Sequence, residues 1–511
     1  MNTFLNGLTN ATNFGYTENG AVKHLTTRSA LLDMFAMGAA MRKRSDEDII
    51  LMFRKAFAEN PVYALKCLFY IRDIRGGQGE RRFFRICMKD LAVQDADAAR
   101  RNLKYVPEFG RWDDLYVFVG TPLESTAFKI MKEQLALDVQ CKTPSLLAKW
   151  LKSENTSSKT SRKLAQRTRE YLGMTHKQYR KTLSILRERI NVLERLMSAG
   201  KWDEIEFDKI PSKAGMIYKN AFARHDIERM KEDKNIQSYA DFAKDTTKKV
   251  NAEVLNPVDI ADRIFSYHGY YNIPTETDRL MYQKYWDCLK DYYNGREENG
   301  IAVVDVSGSM TGQPMNAAVS MGAYIAERGK GPFANHFITF SGNPQLVKFE
   351  GVDIYDKFMR ARNADWAMNT NIEATFDLLL NTALANNCTQ EEIPAAIYIF
   401  SDMEFDSCAT TGAIDTSRHG GYGSRVNRVT SAQANTLFEQ IKIKWANHGY
   451  KLPRVIFWNL DCRQENIPAI GEGFSFVSGF SMTMVEEILS GEDGYSLMMK
   501  KLDTERYAAV R

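Results

Sequence analysis

The spacing of apolar residues divides the 511-residue chain into two parts. Before residue 295, apolar residues recur every three or four positions, which is typical of helices that pack on neighbouring helices. One such stripe consists of Leu183, Leu186, Ile190, Leu193 and Met197. A capping box at Thr175 and Gln178 precedes this stripe, and Gly200 follows it as a stop signal. We therefore predict an all-helical, repeat-like array over residues 1–295.

Beyond residue 298 the pattern changes to short apolar runs that alternate with amphipathic segments. The runs that predict strands are 301–305, 336–340, 345–349, 395–400, 454–460 and 474–477. The segments that predict helices lie near 314–328, 371–386, 430–447 and 481–502. Such alternation is typical of a doubly wound, mostly parallel sheet. We predict an α/β domain over residues 298–511, with a long polar loop at 406–430 and a boundary in the aperiodic segment 286–300.

The first predicted strand of this domain, IAVVDVSGSM at residues 301–310, delivers Asp305, Ser307 and Ser309 to one turn. Asp402 follows the predicted strand 395–400, and Thr370 precedes the predicted helix 371–386. Loops that follow parallel strands meet at one edge of a doubly wound sheet. Carboxylate and hydroxyl oxygens suit Mg²⁺, Mn²⁺ or Ca²⁺, and a cation would relieve the repulsion between two carboxylates. These five residues therefore predict a divalent-cation site, most simply for Mg²⁺.

A simpler interpretation exists for each hydroxyl taken alone. Ser307, Ser309 and Thr370 could merely cap turns and helices. Glu404 and Asp406 follow Asp402 in the chain, and we expect them to be solvated loop carboxylates rather than additional cation ligands.

Charge is distributed unevenly along the chain. Residues 1–300 contain 50 Lys and Arg against 40 Asp and Glu, whereas residues 301–511 contain 18 against 24. The basic excess is densest in residues 142–195, with 14 against 4, and Trp150, Tyr171 and Tyr179 are interleaved there. Lys and Arg neutralise phosphates, and unpaired bases stack on aromatic rings. The alternative is a solvated helix face. The candidate RNA contacts in this segment are Lys159, Arg162, Lys163, Arg167, Arg169, Arg180 and Lys181.

A second basic element, IRDIRGGQGERRFFR, spans residues 71–85. Its glycines predict a corner between two helices, after which Arg81 and Arg85 share a helix face with Arg82 beside them. We count these three arginines as candidate RNA contacts, although a tight interhelical corner needs no ligand. No strand precedes the glycines and no GxGxxG is present, so we expect no nucleotide cofactor.

Composition excludes several classes of protein. Hydrophobic residues make up 44% and charged residues 26% of the chain, an ordinary globular balance. No run approaches the roughly 18 apolar residues of a membrane helix, and the start lacks the features of a signal peptide. The seven cysteines are scattered, which argues against a disulfide framework or a structural zinc site. We expect a cytoplasmic protein without a membrane partner.

The set DxSxS, a threonine before a helix and an aspartate after a central strand resembles the metal-ion-dependent adhesion site of von Willebrand factor A domains. A basic helical array followed by such a domain is similar to the Ro autoantigen, a ribonucleoprotein component with a TROVE-type, HEAT-like helical repeat module. Parts of the array also resemble a viral, phage and eukaryotic family with the same plan. The stretches that carry this likeness are RDIRGGQGERR, LAKWLKSENTSS, MSAGKWDEIEFDKIPSKAG and YKNAFARHD.

These resemblances imply a noncatalytic protein whose array binds noncoding or structured RNA, and whose A domain docks an acidic partner group through the cation. The alternative is a protein-interaction adaptor, an assembly factor or a virion component that uses the cation site without binding RNA. An enzyme is not expected, because the sequence offers no P-loop, no GxSxG elbow and no evident general base. We therefore predict no catalytic residue.

Overall fold

The protein is described by a computed structural model over residues 12–230, 236–266, 273–340, 344–362, 371–406, 436–492 and 494–511. Within these ranges the first half of the chain is helical apart from one short hairpin. The second half forms a six-stranded sheet flanked by helices. The predicted fold class, a helical array followed by a mostly parallel α/β unit, is thereby confirmed. None of the described helices is both long and apolar enough to cross a membrane.

The first half starts with an antiparallel hairpin, β1 (Phe14–Tyr16) and β2 (Val22–His24), which the sequence analysis missed. The helices that follow are α1 (Ala30–Met37), α2 (Asp46–Glu59), α3 (Pro61–Arg72), α4 (Arg82–Gln94), α5 (Ala96–Asn102), α6 (Val106–Phe109), α7 (Glu124–Gln140), α8 (Leu147–Trp150), α9 (Lys159–Leu172), α10 (His176–Arg189), α11 (Leu193–Ser198), α12 (Ser212–Arg229), α13 (Tyr239–Lys244), α14 (Pro257–Phe265) and α15 (Glu276–Asp287).

The second half alternates strands and helices, as predicted. Its elements are β3 (Gly300–Asp305), α16 (Gln313–Arg328), β4 (His336–Phe340), β5 (Gln345–Lys348), α17 (Ile354–Arg362), α18 (Ile372–Ala385), β6 (Ala396–Ser401), α19 (Leu437–Asn447), β7 (Arg454–Asn459), β8 (Phe474–Ser478), α20 (Val485–Ile488) and α21 (Gly494–Leu502). All six predicted strands are present within a residue or two of their expected bounds. Most of the predicted loop 406–430 lies outside the described residues.

The strand order of the sheet is β5-β4-β3-β6-β7-β8, and every pair is parallel except β4 with β5. All of β6 and nearly all of β3 are buried, which explains their unbroken apolar sequences. Val304 pairs with Phe400, so the carboxyl ends of the two central strands lie side by side. Helix α16 crosses β3 so closely that a Cβ atom at Gly322 would overlap the Val304 side chain.

Two helix predictions were wrong in their extent. The capping box at Thr175 does start α10, through the Gln178 N–H and side chain. The helix nevertheless ends before Asn191, whose φ of 46° lies in the left-handed region, and the apolar stripe continues on the separate helix α11. The segment 481–502 is likewise divided into a 3₁₀ turn and two short helices. Periodicity follows burial, and burial continues across such breaks.

The two halves contact each other through polar groups as well as apolar surface. Helix α1 packs against β8, where the Ser478 hydroxyl donates to the Phe35 carbonyl over 2.9 Å. The Cys462 N–H donates to the Ala40 carbonyl over 3.1 Å. Gln78, in the glycine corner, accepts from the Ser481 N–H over 3.1 Å. The proposed division into domains 1–295 and 298–511 stays a prediction, and the segment between α15 and β3 is irregular.

Asp73, at the start of the glycine corner, makes a charged contact between the two halves. Its side chain is completely buried and accepts two bonds from the Arg506 guanidinium, including one of 2.6 Å from Nη2 to Oδ1. The Tyr507 hydroxyl donates to the same carboxylate over 3.0 Å. Gly76 leaves the room that the Arg506 side chain fills, because a Cβ atom there would lie 2.8 Å from it. The corner thus receives residues from the far end of the second half.

Candidate metal centre and candidate nucleic-acid interface

Asp305 ends β3 at the carboxyl edge of the sheet, and its side chain is fully buried. The Ser307 N–H donates to its Oδ1 atom over 2.9 Å, and the Ser401 hydroxyl donates to its Oδ2 atom over 2.6 Å. These bonds fix the carboxylate between the turn after β3 and the carboxyl end of β6. Burial, together with the negative charge of Asp402, raises the pKa of Asp305 to about 7.

Asp402 lies directly after β6 and is also buried. The Glu404 N–H donates to its Oδ1 atom over 3.2 Å, and the guanidinium of Arg463 donates to its Oδ2 atom over 2.9 Å. Two carboxyl groups therefore share one edge of the sheet, and a single guanidinium compensates part of their charge. Like charges this close favour a bound cation or a proton.

The hydroxyls of Ser307 and Ser309 lie 3.0 Å apart and contact each other. Ser307 begins the short 3₁₀ turn before α16, but its side chain makes no capping bond there. The capping alternative therefore does not describe Ser307. Thr370 lies outside the described residues, and the side chain that caps α18 is that of Asn371. The structure thus brings together four of the five predicted ligands.

The donor set of the site has the chemistry of the expected cation's ligands. Asp305, Asp402, Ser307 and Ser309 supply only oxygen atoms, which is the chemistry that Mg²⁺ or Ca²⁺ requires. In the described ranges no three His, Cys, Asp or Glu side chains form a group that could hold a metal ion. The residues present fit a hard cation held by two carboxylates and hydroxyls, a set in which Thr370 would be the fifth donor.

The residues that surround Asp402 were not predicted from the sequence. Arg463 bridges Asp402 and Glu18, whose carboxylate lies 2.9 Å from its Nη1 atom. The Glu18 N–H donates to Glu404 over 2.8 Å, and the Thr17 hydroxyl donates to the Phe405 carbonyl over 2.6 Å. The N-terminal hairpin therefore covers the loop after β6. No local signal connects residues so far apart in the sequence.

Glu404 corrects one expectation. It is fully buried rather than solvated, and burial raises its pKa. One carboxylate oxygen accepts from Glu18, while the other, Oε1, has no hydrogen-bond partner within the part of the chain that the structure describes. Asp406 forms a β-bridge with Gly20 of the hairpin. Both residues are part of the contact between the hairpin and the sheet.

The basic segment of the first half forms a groove of about 1350 Å³. Helix α10 and the segment 149–156 provide most of its lining. The basic residues that line the groove are Lys149, Lys152, Lys177, Arg180, Lys181, Arg187 and Arg195. Its acidic lining residues are Glu154 and Glu194, and Glu154 is already paired with Arg169 over 2.9 Å. The groove therefore carries an excess of positive charge.

The predicted RNA contacts have two different environments. Four of them are held in ion pairs: Arg82 with Asp46, Arg85 with Asp113 and Asp114, Arg167 with Glu124, and Arg169 with Glu154. The others are exposed and form no ion pair within the described ranges, namely Arg81, Lys159, Arg162, Lys163, Arg180 and Lys181. Arg180 and Lys181 line the groove itself. The four paired arginines thus have acidic partners within the protein, which the other six lack in the described ranges.

The three interleaved aromatic residues also differ. Tyr171 stacks on Phe128 with ring centroids 4.4 Å apart. Tyr179 is buried and donates to the Lys152 carbonyl over 2.7 Å. Trp150 is half-buried in the groove wall, and the guanidinium of Arg111 lies 4.1 Å from its ring centroid. Trp150 is therefore the aromatic residue of the three that combines exposure with a place in the groove.

Comparison with known proteins matches both halves. Residues 17–145 and 134–289 match the family described as Domain of unknown function (DUF2828), and residues 299–507 match Domain of unknown function (DUF7788). The chain is also 31% identical over 519 residues to Uncharacterized protein L728 of Acanthamoeba polyphaga mimivirus, covering 94% of this chain and 85% of that protein. This chain belongs to the DUF2828 family.

The DUF2828 segment contains the groove, and the DUF7788 segment contains Asp305 and Asp402. The viral relative agrees with the expected viral family plan. These matches name neither a von Willebrand factor A domain nor the Ro autoantigen, so those two resemblances stay predictions for this DUF2828 protein.

Proposed function

We propose that this DUF2828 protein is a noncatalytic RNA-binding protein whose basic groove holds RNA. Its sheet edge then docks an acidic group of a partner protein through a divalent cation. The observation that carries the proposed RNA binding is the groove, which is lined by seven basic side chains and two acidic ones. The likeness to the Ro autoantigen plan and to an adhesion-site A domain supports the same combination of roles.

The groove supports RNA binding because some of its basic side chains have no acidic partner among the described residues. Arg180 and Lys181 project from α10 without an ion-pair partner among the described residues. Arg187, by contrast, donates to the backbone carbonyls of Ala148 and Leu151 and holds the segment that forms the opposite wall. The site therefore has fixed walls and free cationic groups, which suits a polyanion.

The RNA proposal is tested by filter binding of RNA over a series of salt concentrations. The double variant Arg180→Ala/Lys181→Ala should bind more weakly and reduce the slope of log K against log salt by about one to two. Lys55→Ala/Lys89→Ala is the matched control, since both lysines are exposed and neither lines the groove. Absence of RNA retention by the unaltered protein at low salt would reject the proposal.

At the sheet edge, Asp305, Asp402, Ser307 and Ser309 would hold the cation, with Thr370 as the proposed fifth ligand. A bound Mg²⁺ would supply a coordination position for a carboxylate from the partner. The fold contributes the orientation: Ser401 and the Ser307 N–H fix Asp305, and the Glu404 N–H donates to Asp402. No proton transfer or bond cleavage is assigned to these residues.

The cation proposal is tested by thermal denaturation with and without Mg²⁺. Asp305→Ala should abolish the stabilisation that Mg²⁺ gives. Asp377→Ala, which removes a partly exposed carboxylate paired with Lys444 on neighbouring helices, should retain it. An unchanged Mg²⁺ effect in Asp305→Ala would mean that the ion binds elsewhere.

The viral relative supports a second candidate, a protein-interaction adaptor, assembly factor or virion component that binds no RNA. A pulldown that survives nuclease treatment and is lost with Asp305→Ala or a chelator would favour it over the RNA-binding proposal.

A further inference from the structure

A cluster of cations lies beside the groove and exceeds its counter-ions. Asp114 is completely buried and accepts from Arg72 over 2.7 Å and from Arg85 over 2.6 Å. Asp113 is shared by Arg85 at 3.1 Å, Arg111 at 3.2 Å and Lys152 at 3.9 Å. Two carboxylates thus serve four cations, which leaves a surplus of positive charge.

Arg81 adds a fifth cation to this cluster without a carboxylate of its own in the described ranges. Desolvation by the surrounding side chains and the neighbouring charge of Arg85 lower the pKa of Arg81. Burial also lowers the pKa of Arg111, with Arg81 among the repelling charges. A surplus of guanidinium groups over carboxylates attracts anions, and phosphate matches the forked geometry of the guanidinium group.

The cluster and the groove meet at Trp150. The Arg111 guanidinium covers one face of this ring, and Lys152 both contacts Asp113 and lines the groove. A phosphate site next to a half-exposed indole matches the two parts of a nucleotide, its phosphate and its base. Stacking on an aromatic ring requires a base that is not paired in a duplex.

The other residues that line the groove are also suited to binding a single RNA strand. Ser153, Asn155, Thr156, Ser161 and Ser184 offer neutral hydrogen-bonding groups along its walls. The volume of about 1350 Å³ exceeds that of pockets for single small ligands. An A-form duplex exposes mainly its backbone and shallow groove, so its bases cannot enter such a cleft.

We infer that the groove takes single-stranded RNA, with one phosphate at Arg81 and Arg111 and the adjacent base stacked on Trp150. This inference rests on the proposed RNA-binding function and specifies its ligand. It also gives the glycine corner a second role, because the corner leads directly into Arg81, while Asp73 anchors the other half.

The test is fluorescence anisotropy with a labelled oligouridine of about ten nucleotides and with a blunt RNA duplex of the same length. The unaltered protein should prefer the single strand. Trp150→Ala should weaken its binding roughly 5- to 150-fold, and Trp150→Phe should recover a large part of that loss because it keeps a flat ring. Arg81→Gln should lower the salt slope by about 0.7. Lys55→Ala is the control for each measurement.

The outcomes separate the two proposals. Binding of neither RNA would reject the proposed function and this inference together. Binding in which the duplex is preferred, or in which Trp150→Ala and Arg81→Gln match Lys55→Ala, would overturn the inference while RNA binding stands. Circular dichroism of each variant verifies its fold, and the Trp150→Phe comparison decides the question if Trp150→Ala is unfolded.

Discussion

Removal of Arg506 should destabilise the contact between the two halves strongly. The Asp73 side chain has no exposed surface, whereas that of Arg506 is 33% exposed. In Arg506→Ala the buried carboxylate retains the Tyr507 hydroxyl and the Arg75 N–H as donors. Removing one partner of a buried ion pair costs about 3–5 kcal/mol, and water access at the Arg506 position places our expectation near about 3 kcal/mol.

The free energy of unfolding, from urea denaturation followed by tryptophan fluorescence, measures this cost. Arg100→Ala is the control, because it removes an exposed ion pair with Asp97 and should cost less than about 1 kcal/mol. In an Asp73→Asn background, which lacks the buried charge, Arg506→Ala should cost about 2 kcal/mol less than in the unaltered protein. An equal cost in both backgrounds, or a cost equal to that of Arg100→Ala, would refute the reasoning.

Two other changes should also have measurable effects. Although burial favours its neutral form, the charges and hydrogen bonds of Arg72 and Arg85 hold the pKa of Asp114 below its usual value. Its ion pairs should therefore stabilise the fold above about pH 4 and lose that effect as the pH falls further. Thermal stability should consequently fall less steeply on acidification in Asp114→Asn than in the unaltered protein. An equally steep fall in both proteins would contradict this expectation. Arg463→Ala should raise the affinity for Mg²⁺ several-fold in calorimetric titration, because it frees Asp402 from a competing cation; an unchanged or lower affinity would contradict the proposed site.

The strands and the centre of the candidate metal site could be predicted from the sequence because their signals are local. Buried strands such as β3 and β6 require continuous apolar runs, and the topology of a doubly wound sheet then places Asp305 and Asp402 at one edge. Glu18 and Arg463 carry no such signal. They reach Asp402 through the packing of the hairpin, which depends on contacts across almost the whole chain.

The roles of the arginines were predictable only in part, for the same reason. Arg82 and Arg180 occupy similar basic, helical sequences, yet Arg82 pairs with Asp46 and Arg180 faces the groove. Whether a basic side chain forms an ion pair within the protein depends on acidic residues from other helices. Helix ends were also uncertain, as Asn191 illustrates, because a break in the backbone leaves the apolar spacing intact.

The contacts between the two halves join residues far apart in the sequence, and this affects the order of folding. The bond from Glu18 to Glu404 spans 386 positions, and the contact between Arg506 and Asp73 spans 433. Ordering so long a loop costs chain entropy before any contact compensates for it, and such topologies fold slowly. On the ribosome, the hairpin and the glycine corner are synthesised early, but they must wait for the sheet and for Arg506 before they can reach their native partners. Both surfaces therefore lack their native partners until the second half of the chain has been synthesised.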